Sequence, residues 1–90
     1  MANKVALVTG AQAGIGAACA KRLARDGIAI GVLDLSEEIC ADTVKAIRDA
    51  GGEAIALGAD ITSREQVKAA VQKLRDTFGP ISIVVNNAGV

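Results

Sequence analysis

Histidine, tyrosine and tryptophan are absent from this sequence of 90 residues, which holds one phenylalanine and one proline. The side chains that most often act as general bases or phenolic acids are therefore missing, and we predict no catalytic residue within it. No apolar run reaches the roughly 18 residues that a membrane span needs. Ten basic residues balance ten acidic ones, which argues against nucleic acid or a membrane surface as the main partner.

Cysteine is also scarce in the sequence. Cys19 and Cys40 fall on different predicted helices, at a separation that matches no metal-binding motif. We interpret both as small apolar residues of the core and predict no metal site. The length is that of one small domain. We find no secretion signal at the amino end, so we expect a reducing, cytoplasmic compartment.

Apolar segments that indicate buried strands alternate with segments of helical periodicity. Strands are predicted at residues 5–9, 28–34, 53–59 and 81–85, and helices at 14–25, from the N-cap Ser36 through Ala50, and from Thr62 and Ser63 to Phe78. Thr62 and Ser63 offer a capping box with Glu65 or Gln66. Strands without polar alternation are typical of a parallel sheet covered by helices. We predict a Rossmann-type doubly wound α/β domain, βαβαβαβ, with strand order 3-2-1-4.

The stretch "TGAQAGIG" places three glycines between the first strand and the first helix. Gly10 permits a positive φ where the chain leaves the strand. Gly14 removes bulk where a diphosphate could lie against the main chain, and Gly16 lets the helix pack on the sheet. The unpaired N–H groups at the start of a helix suit a phosphate anion. No Gly-Lys-Ser/Thr follows, so this is not a nucleoside-triphosphate P-loop.

Two further segments follow strands that end at the same edge of the sheet. Asp60 comes after the third strand and "NNAG", residues 86–89, comes after the fourth. Together with "TGAQAGIG", in this order and spacing, they resemble the N-terminal half of a short-chain dehydrogenase/reductase, and the resemblance covers essentially the whole sequence. It implies hydride transfer between a nicotinamide cofactor and a secondary alcohol or ketone. It also implies a homotetramer, as is common in that family.

The resemblance, together with the fold, predicts which residues contact the cofactor. Those on the glycine-rich turn are taken to lie at the diphosphate, those after the second and third strands at the adenosine, and those after the fourth strand at the nicotinamide ribose; Asn86 is expected to serve structure instead. The predicted contacts are Gly10, Gln12, Ala13, Gly14, Ile15, Gly16, Asp34, Leu35, Asp60, Ile61, Asn87, Ala88 and Gly89.

Two positions favour NAD over NADP as the cofactor. Asp34 ends the second strand, where an acidic residue hydrogen-bonds the adenosine ribose, and the same carboxylate would repel a 2′-phosphate. Ala13 stands where relatives that use NADP often carry a basic residue. For Asp34 the alternative is a solvated turn residue ahead of the cap Ser36. For Asp60 it is a turn acceptor ahead of Thr62, and both roles can hold at once.

The serine, tyrosine and lysine that such enzymes use for catalysis have no counterparts here, so the resemblance places them beyond Val90. The fourth strand, "ISIVV", is apolar throughout, and as a sheet edge it would be unprotected. We therefore expect this to be part of a longer protein. Two other classes stay open: a methyltransferase dependent on S-adenosylmethionine, which shares the glycine-rich turn, and a non-catalytic nucleotide-binding module.

Overall fold

A computed structural model of the protein describes residues 4–10 and 14–86, with the side chains of residues 14 and 15 left undescribed. Four strands alternate with three helices along the chain. The strands are β1 (Val5–Thr9), β2 (Ala29–Asp34), β3 (Ala54–Gly58) and β4 (Ile83–Asn86), and the helices are α1 (Gly14–Arg25), α2 (Glu37–Asp49) and α3 (Arg64–Phe78). The predicted βαβαβαβ order is confirmed.

The four strands form one parallel sheet in the order β3-β2-β1-β4. The chain moves outward from β1 through β2 to β3, and then crosses back to place β4 on the other side of β1. The predicted order is thus confirmed, and the winding direction reverses between β1 and β4. In sheets of this kind, ligands bind outside the carboxyl ends of the strands at such a reversal.

A hydrophobic core covers each face of the sheet. On one face α1 and α2 pack against the strands through Ala20, Cys40, Val44 and Ile47. On the other face α3 alone contributes Ala70 and Leu74. Both faces of β1 are buried from Val5 to Thr9, as expected for an apolar strand in the middle of a covered parallel sheet.

The amino ends of α2 and α3 are both capped by serine. The hydroxyl of Ser36 accepts a hydrogen bond from the backbone N–H of Ile39 at 3.3 Å, as predicted. At α3 the cap is Ser63, which accepts from the N–H of Gln66 at 3.4 Å. The reciprocal half of a capping box is missing, because the Gln66 side chain accepts instead from the N–H of Asp60.

The predicted element boundaries hold for β1 and α1 and shift slightly elsewhere. β4 begins two residues later than predicted and extends through Asn86, because Asn86 pairs in register with Thr9. β4 lies at the edge of the described sheet, where Val84 is 64% exposed. Among the residues that the structure describes, no helix has both the length and the apolar character needed to cross a membrane.

Candidate cofactor-binding site

The carboxyl ends of the four strands meet at one edge of the sheet. Thr9 pairs in register with Leu33 of β2 on one side and with Asn86 of β4 on the other. Asp34 pairs with Gly58, the last residue of β3. Parallel pairing therefore places the turns that follow β1, β2 and β3 side by side, and these turns carry most of the predicted contacts.

Gly10 makes the turn that leaves β1 toward α1. Its φ is 64°, in the left-handed region that side chains disfavour, so the predicted need for glycine here is confirmed. Its N–H donates to the carbonyl of Leu33 at 2.9 Å, which fixes the turn against β2. α1 then begins at Gly14, as predicted, and Gly16 is buried in its first turn.

A side-chain hydrogen bond joins the ends of β1 and β4. The hydroxyl of Thr9 donates to Oδ1 of Asn86 at 2.9 Å, and the same hydroxyl lies 3.5 Å from the carbonyl oxygen of Val85. Asn86 thus has the structural contact expected of it. The part of Thr9 in this contact was not anticipated from the sequence, where a threonine inside a β-branched strand is indistinguishable from a packing residue.

Asp34 lies half-buried at the end of β2, and its carboxylate is held by its own turn. Oδ1 accepts a hydrogen bond from the N–H of Leu35 at 2.8 Å. The carbonyl of Asp34 accepts from the N–H of Ala59, also at 2.8 Å, so the chain after β3 fixes the backbone of this residue. The arrangement leaves Oδ2 of Asp34 with no partner among the bonds to described residues, free to accept from a ligand hydroxyl.

The carboxylate of Asp60 accepts hydrogen bonds within its own turn, which is the alternative role considered from the sequence. Its Oδ1 accepts from both the N–H and the hydroxyl of Thr62, at 2.9 and 2.7 Å. These two bonds lower the pKa of the Asp60 carboxyl below its usual value, since they favour the charged form. The N–H of Asp60 donates to the side chain of Gln66 at 2.8 Å. Asp60 is therefore ordered before any ligand binds.

Two large apolar side chains are exposed beside these acidic residues. Leu35 follows Asp34 and is 66% exposed, and Ile61 follows Asp60 and is 49% exposed. Each stands just beyond the carboxyl end of a strand, and the two strands are neighbours. Exposed apolar groups at such a position suit the faces of a planar ring, and an adenine has that shape.

Negative charge is concentrated at the turn between β2 and α2. Asp34 ends the strand, and Glu37 and Glu38 occupy the first turn of the helix. Burial raises the pKa of the Cys40 thiol to about 11, with the charges of Asp34 and Glu37 adding to the effect. Glu37 pairs with Lys73 of α3 at 3.2 Å, where both side chains are exposed.

Several predicted contacts lie outside the described residues: Gln12, Ala13, Asn87, Ala88 and Gly89. The side chain of Ile15 is likewise undescribed, so its predicted contact stays a prediction. Within the described ranges no group of three or more metal-ligating side chains comes together. A groove of about 640 Å³ lies elsewhere, along α2 and β3. It mixes acidic and basic side chains and includes none of the predicted contacts.

Comparison with known proteins agrees with this geometry. A family model described as short chain dehydrogenase matches residues 4–90. The short-chain reductase protein NovJ of Streptomyces niveus is 49% identical over 88 residues, which are 98% of this chain and 34% of that protein. The chain thus spans about a third of the length of this relative.

Solved structures give the same result for the fold. An actinorhodin polyketide ketoreductase variant crystallised with NADPH superposes with a TM-score of 0.91 at 40% identity, over 100% of this chain and 36% of that one. A metagenomic short-chain oxidoreductase in complex with NADP superposes with a TM-score of 0.91 at 33% identity, over 100% and 41%. The chain is therefore similar throughout its length to a part of each of these two proteins.

Proposed function

Because the chain belongs to the short-chain dehydrogenase family, whose members are oxidoreductases that bind a nicotinamide cofactor, we propose that it is the cofactor-binding part of an NAD-dependent enzyme. The enzyme interconverts a secondary alcohol and a ketone. The observation that carries the proposal is the arrangement at one sheet edge: the left-handed turn at Gly10 leads into α1, and the Asp34 carboxylate ends the neighbouring strand.

The residues present fit a dinucleotide. α1 has no acidic residue in its first turn, whereas α2 and α3 do. Its unpaired N–H groups and the positive end of its dipole therefore stay available for the diphosphate. Asp34 holds an acceptor for the adenosine ribose, and the exposed side chains of Leu35 and Ile61 flank the place for the adenine.

The electrostatics of the turn after β2 favour NAD over NADP. A 2′-phosphate on the adenosine ribose would meet the carboxylate of Asp34, with Glu37 and Glu38 close by in the chain. No basic residue occurs between Asp34 and Glu38, and Lys73 is already paired with Glu37. The ketoreductase described above was solved with NADPH, so we attribute the proposed preference for NAD to these side chains and not to the fold.

When the cofactor is bound, its nicotinamide ring accepts or donates the hydride. The residues of this chain would bind and orient the cofactor, and the Thr9–Asn86 bond fixes the strand ends that lead into the two segments proposed to contact it. We expect groups outside these 90 residues to exchange the proton, since the tyrosine that the family uses for this step is absent here. A cytoplasmic location and a homotetramer belong to the same proposal.

Calorimetric titration of the full-length gene product with NAD, NADP and S-adenosylmethionine tests the proposal. We expect tighter binding of NAD than of NADP and no binding of S-adenosylmethionine. Absorbance at 340 nm then reports oxidation of secondary alcohols. Binding of S-adenosylmethionine alone would favour a methyltransferase, and NAD binding with no turnover of any alcohol or ketone would favour a non-catalytic nucleotide-binding module.

A further inference from the structure

Gly58 faces the residue that we propose contacts the adenosine ribose. It is the last residue of β3 and pairs in register with Asp34, the last residue of β2. The next residue, Ala59, donates its N–H to the carbonyl of Asp34 at 2.8 Å. The strand pairing and this hydrogen bond therefore fix the position of the Asp34 backbone relative to β3.

Neither a positive φ nor packing in the core explains the glycine at position 58. Its φ is not positive; the described glycines in that region are Gly10, Gly27, Gly51 and Gly79. It is exposed to solvent, so no close packing in the core requires it. A glycine weakens a strand, so we expect a contact near Gly58 that a side chain would disturb.

The start of α2 approaches Gly58 so closely that there is no room for a Cβ. A Cβ built on Gly58 would lie 3.0 Å from the backbone nitrogen of Glu37, 3.2 Å from Cα of Ser36 and 3.3 Å from its carbonyl carbon. All three are backbone atoms, which cannot rotate away as the end of a side chain can. A methyl group at this position would push the start of α2 and the end of β3 apart by a few tenths of an ångström.

The start of α2 is firmly joined to Asp34, so such a displacement would reach the carboxylate. Only Leu35 separates Asp34 from Ser36, and its N–H is bonded to Oδ1 of Asp34 at 2.8 Å. Ser36 caps the helix, so the first turn of α2 follows any movement of Ser36. Because β3 holds the backbone of Asp34, a movement of the start of α2 would act on its carboxylate through the Leu35 N–H that binds Oδ1.

We infer that Gly58 is a positioning residue for cofactor recognition: by lacking a side chain it lets the start of α2 pack against β3 and so places the Asp34 carboxylate for the adenosine ribose. The inference rests on the proposed function and deepens it. It assigns part of the affinity for NAD, and of the discrimination against NADP, to a residue that contacts neither.

The test is calorimetric titration of NAD and NADP into the full-length protein carrying Gly58→Ala, Asp34→Ala or both. A displacement of a few tenths of an ångström weakens a polar contact. We therefore expect Gly58→Ala to weaken NAD binding by about three- to tenfold and to reduce the ratio of NAD affinity to NADP affinity. In the Asp34→Ala background the same change should have almost no effect, since the contact it disturbs is already gone.

Gly27→Ala is the matched control. Gly27 has a φ of 84° with no atom near its would-be Cβ, and it lies at the opposite end of the sheet, so alanine strains the backbone without touching the site. We expect a lower melting temperature and unchanged NAD binding. If Gly58→Ala leaves the NAD affinity unchanged, or lowers it equally in the Asp34→Ala background, the inference about Gly58 is wrong. The proposed function would still stand. Failure of the unmodified protein to bind NAD would overturn the proposed function as well.

Discussion

The hydroxyl of Thr9 and Oδ1 of Asn86 are 2.9 Å apart, and this hydrogen bond joins the ends of the two strands between which the sheet reverses its winding. The glycine-rich turn follows one strand and "NNAG" begins at the end of the other. The two segments most closely linked to the proposed function are thus anchored to each other by side chains as well as by the β1–β4 ladder.

Disrupting this bond tests its contribution to stability. We expect Thr9→Val and Asn86→Ala together to destabilise the protein by less than the sum of the single variants, with a coupling free energy of about 1 kcal/mol. Urea unfolding of the three variants measures the coupling. Strict additivity would mean that the bond contributes nothing and that the strand ends are held by the backbone alone.

Replacing Asp34 tests the cofactor preference. Asp34→Ala removes a charged acceptor for the ribose, and such hydrogen bonds contribute about 1.5–3 kcal/mol, so NAD affinity should fall by roughly tenfold to a hundredfold. NADP affinity should rise, because a repelling charge is lost. Asp49→Ala is the control, since Asp49 ends α2 and pairs there with Lys45 at 3.1 Å. Equal behaviour of the two variants in a binding titration would contradict the assignment.

Gly31 provides space for α3 on the sheet. A Cβ on this buried residue of β2 would lie 2.7 and 2.8 Å from the two terminal methyl carbons of Leu74. We expect Gly31→Ala to lower the free energy of unfolding by about 1–3 kcal/mol through overpacking. In a Leu74→Ala background the loss should shrink, because the two closest methyl groups are absent and only that of Leu57, 3.0 Å away, remains. Denaturant unfolding measures both, and an undiminished loss would refute the steric explanation.

Cys40 should stay protonated well into the alkaline range. Burial, with the charge of Asp34 second, raises its pKa to about 11, and the thiolate is the reactive form. At pH 8 we expect iodoacetamide to leave Cys40 unmodified in the folded protein and to modify it in urea, as peptide mass mapping would show. Rapid modification of Cys40 without denaturant would contradict this.

The same shift gives a pH dependence of stability with a definite sign. The folded pKa lies above the unfolded value of about 8.5, so the contribution of Cys40 is complete below that value and is lost as pH rises toward about 11. Unfolding free energies measured from pH 8 to 11 should therefore fall less steeply for Cys40→Ala than for the unmodified protein. Parallel curves would show that the thiol does not titrate as described.

The fold could be predicted from the sequence because its local signals agree with one another. Apolar strands, the glycine turn at Gly10 and the serine cap of α2 all point to the same alternation of elements. The details that could not be predicted depend on contacts between distant residues. Examples are the Thr9–Asn86 bond, the side chain of Gln66 turning to Asp60 instead of closing a capping box, and the close approach of Gly58 to Ser36.

A crystal structure of the full-length protein grown with NAD would show where the dinucleotide binds. We expect the diphosphate at the amino end of α1, against the backbone N–H groups that follow Gly10, with the hydroxyls of the adenosine ribose bonded to the carboxylate of Asp34. NAD bound elsewhere, or absent from this edge of the sheet at saturating concentration, would contradict this expectation.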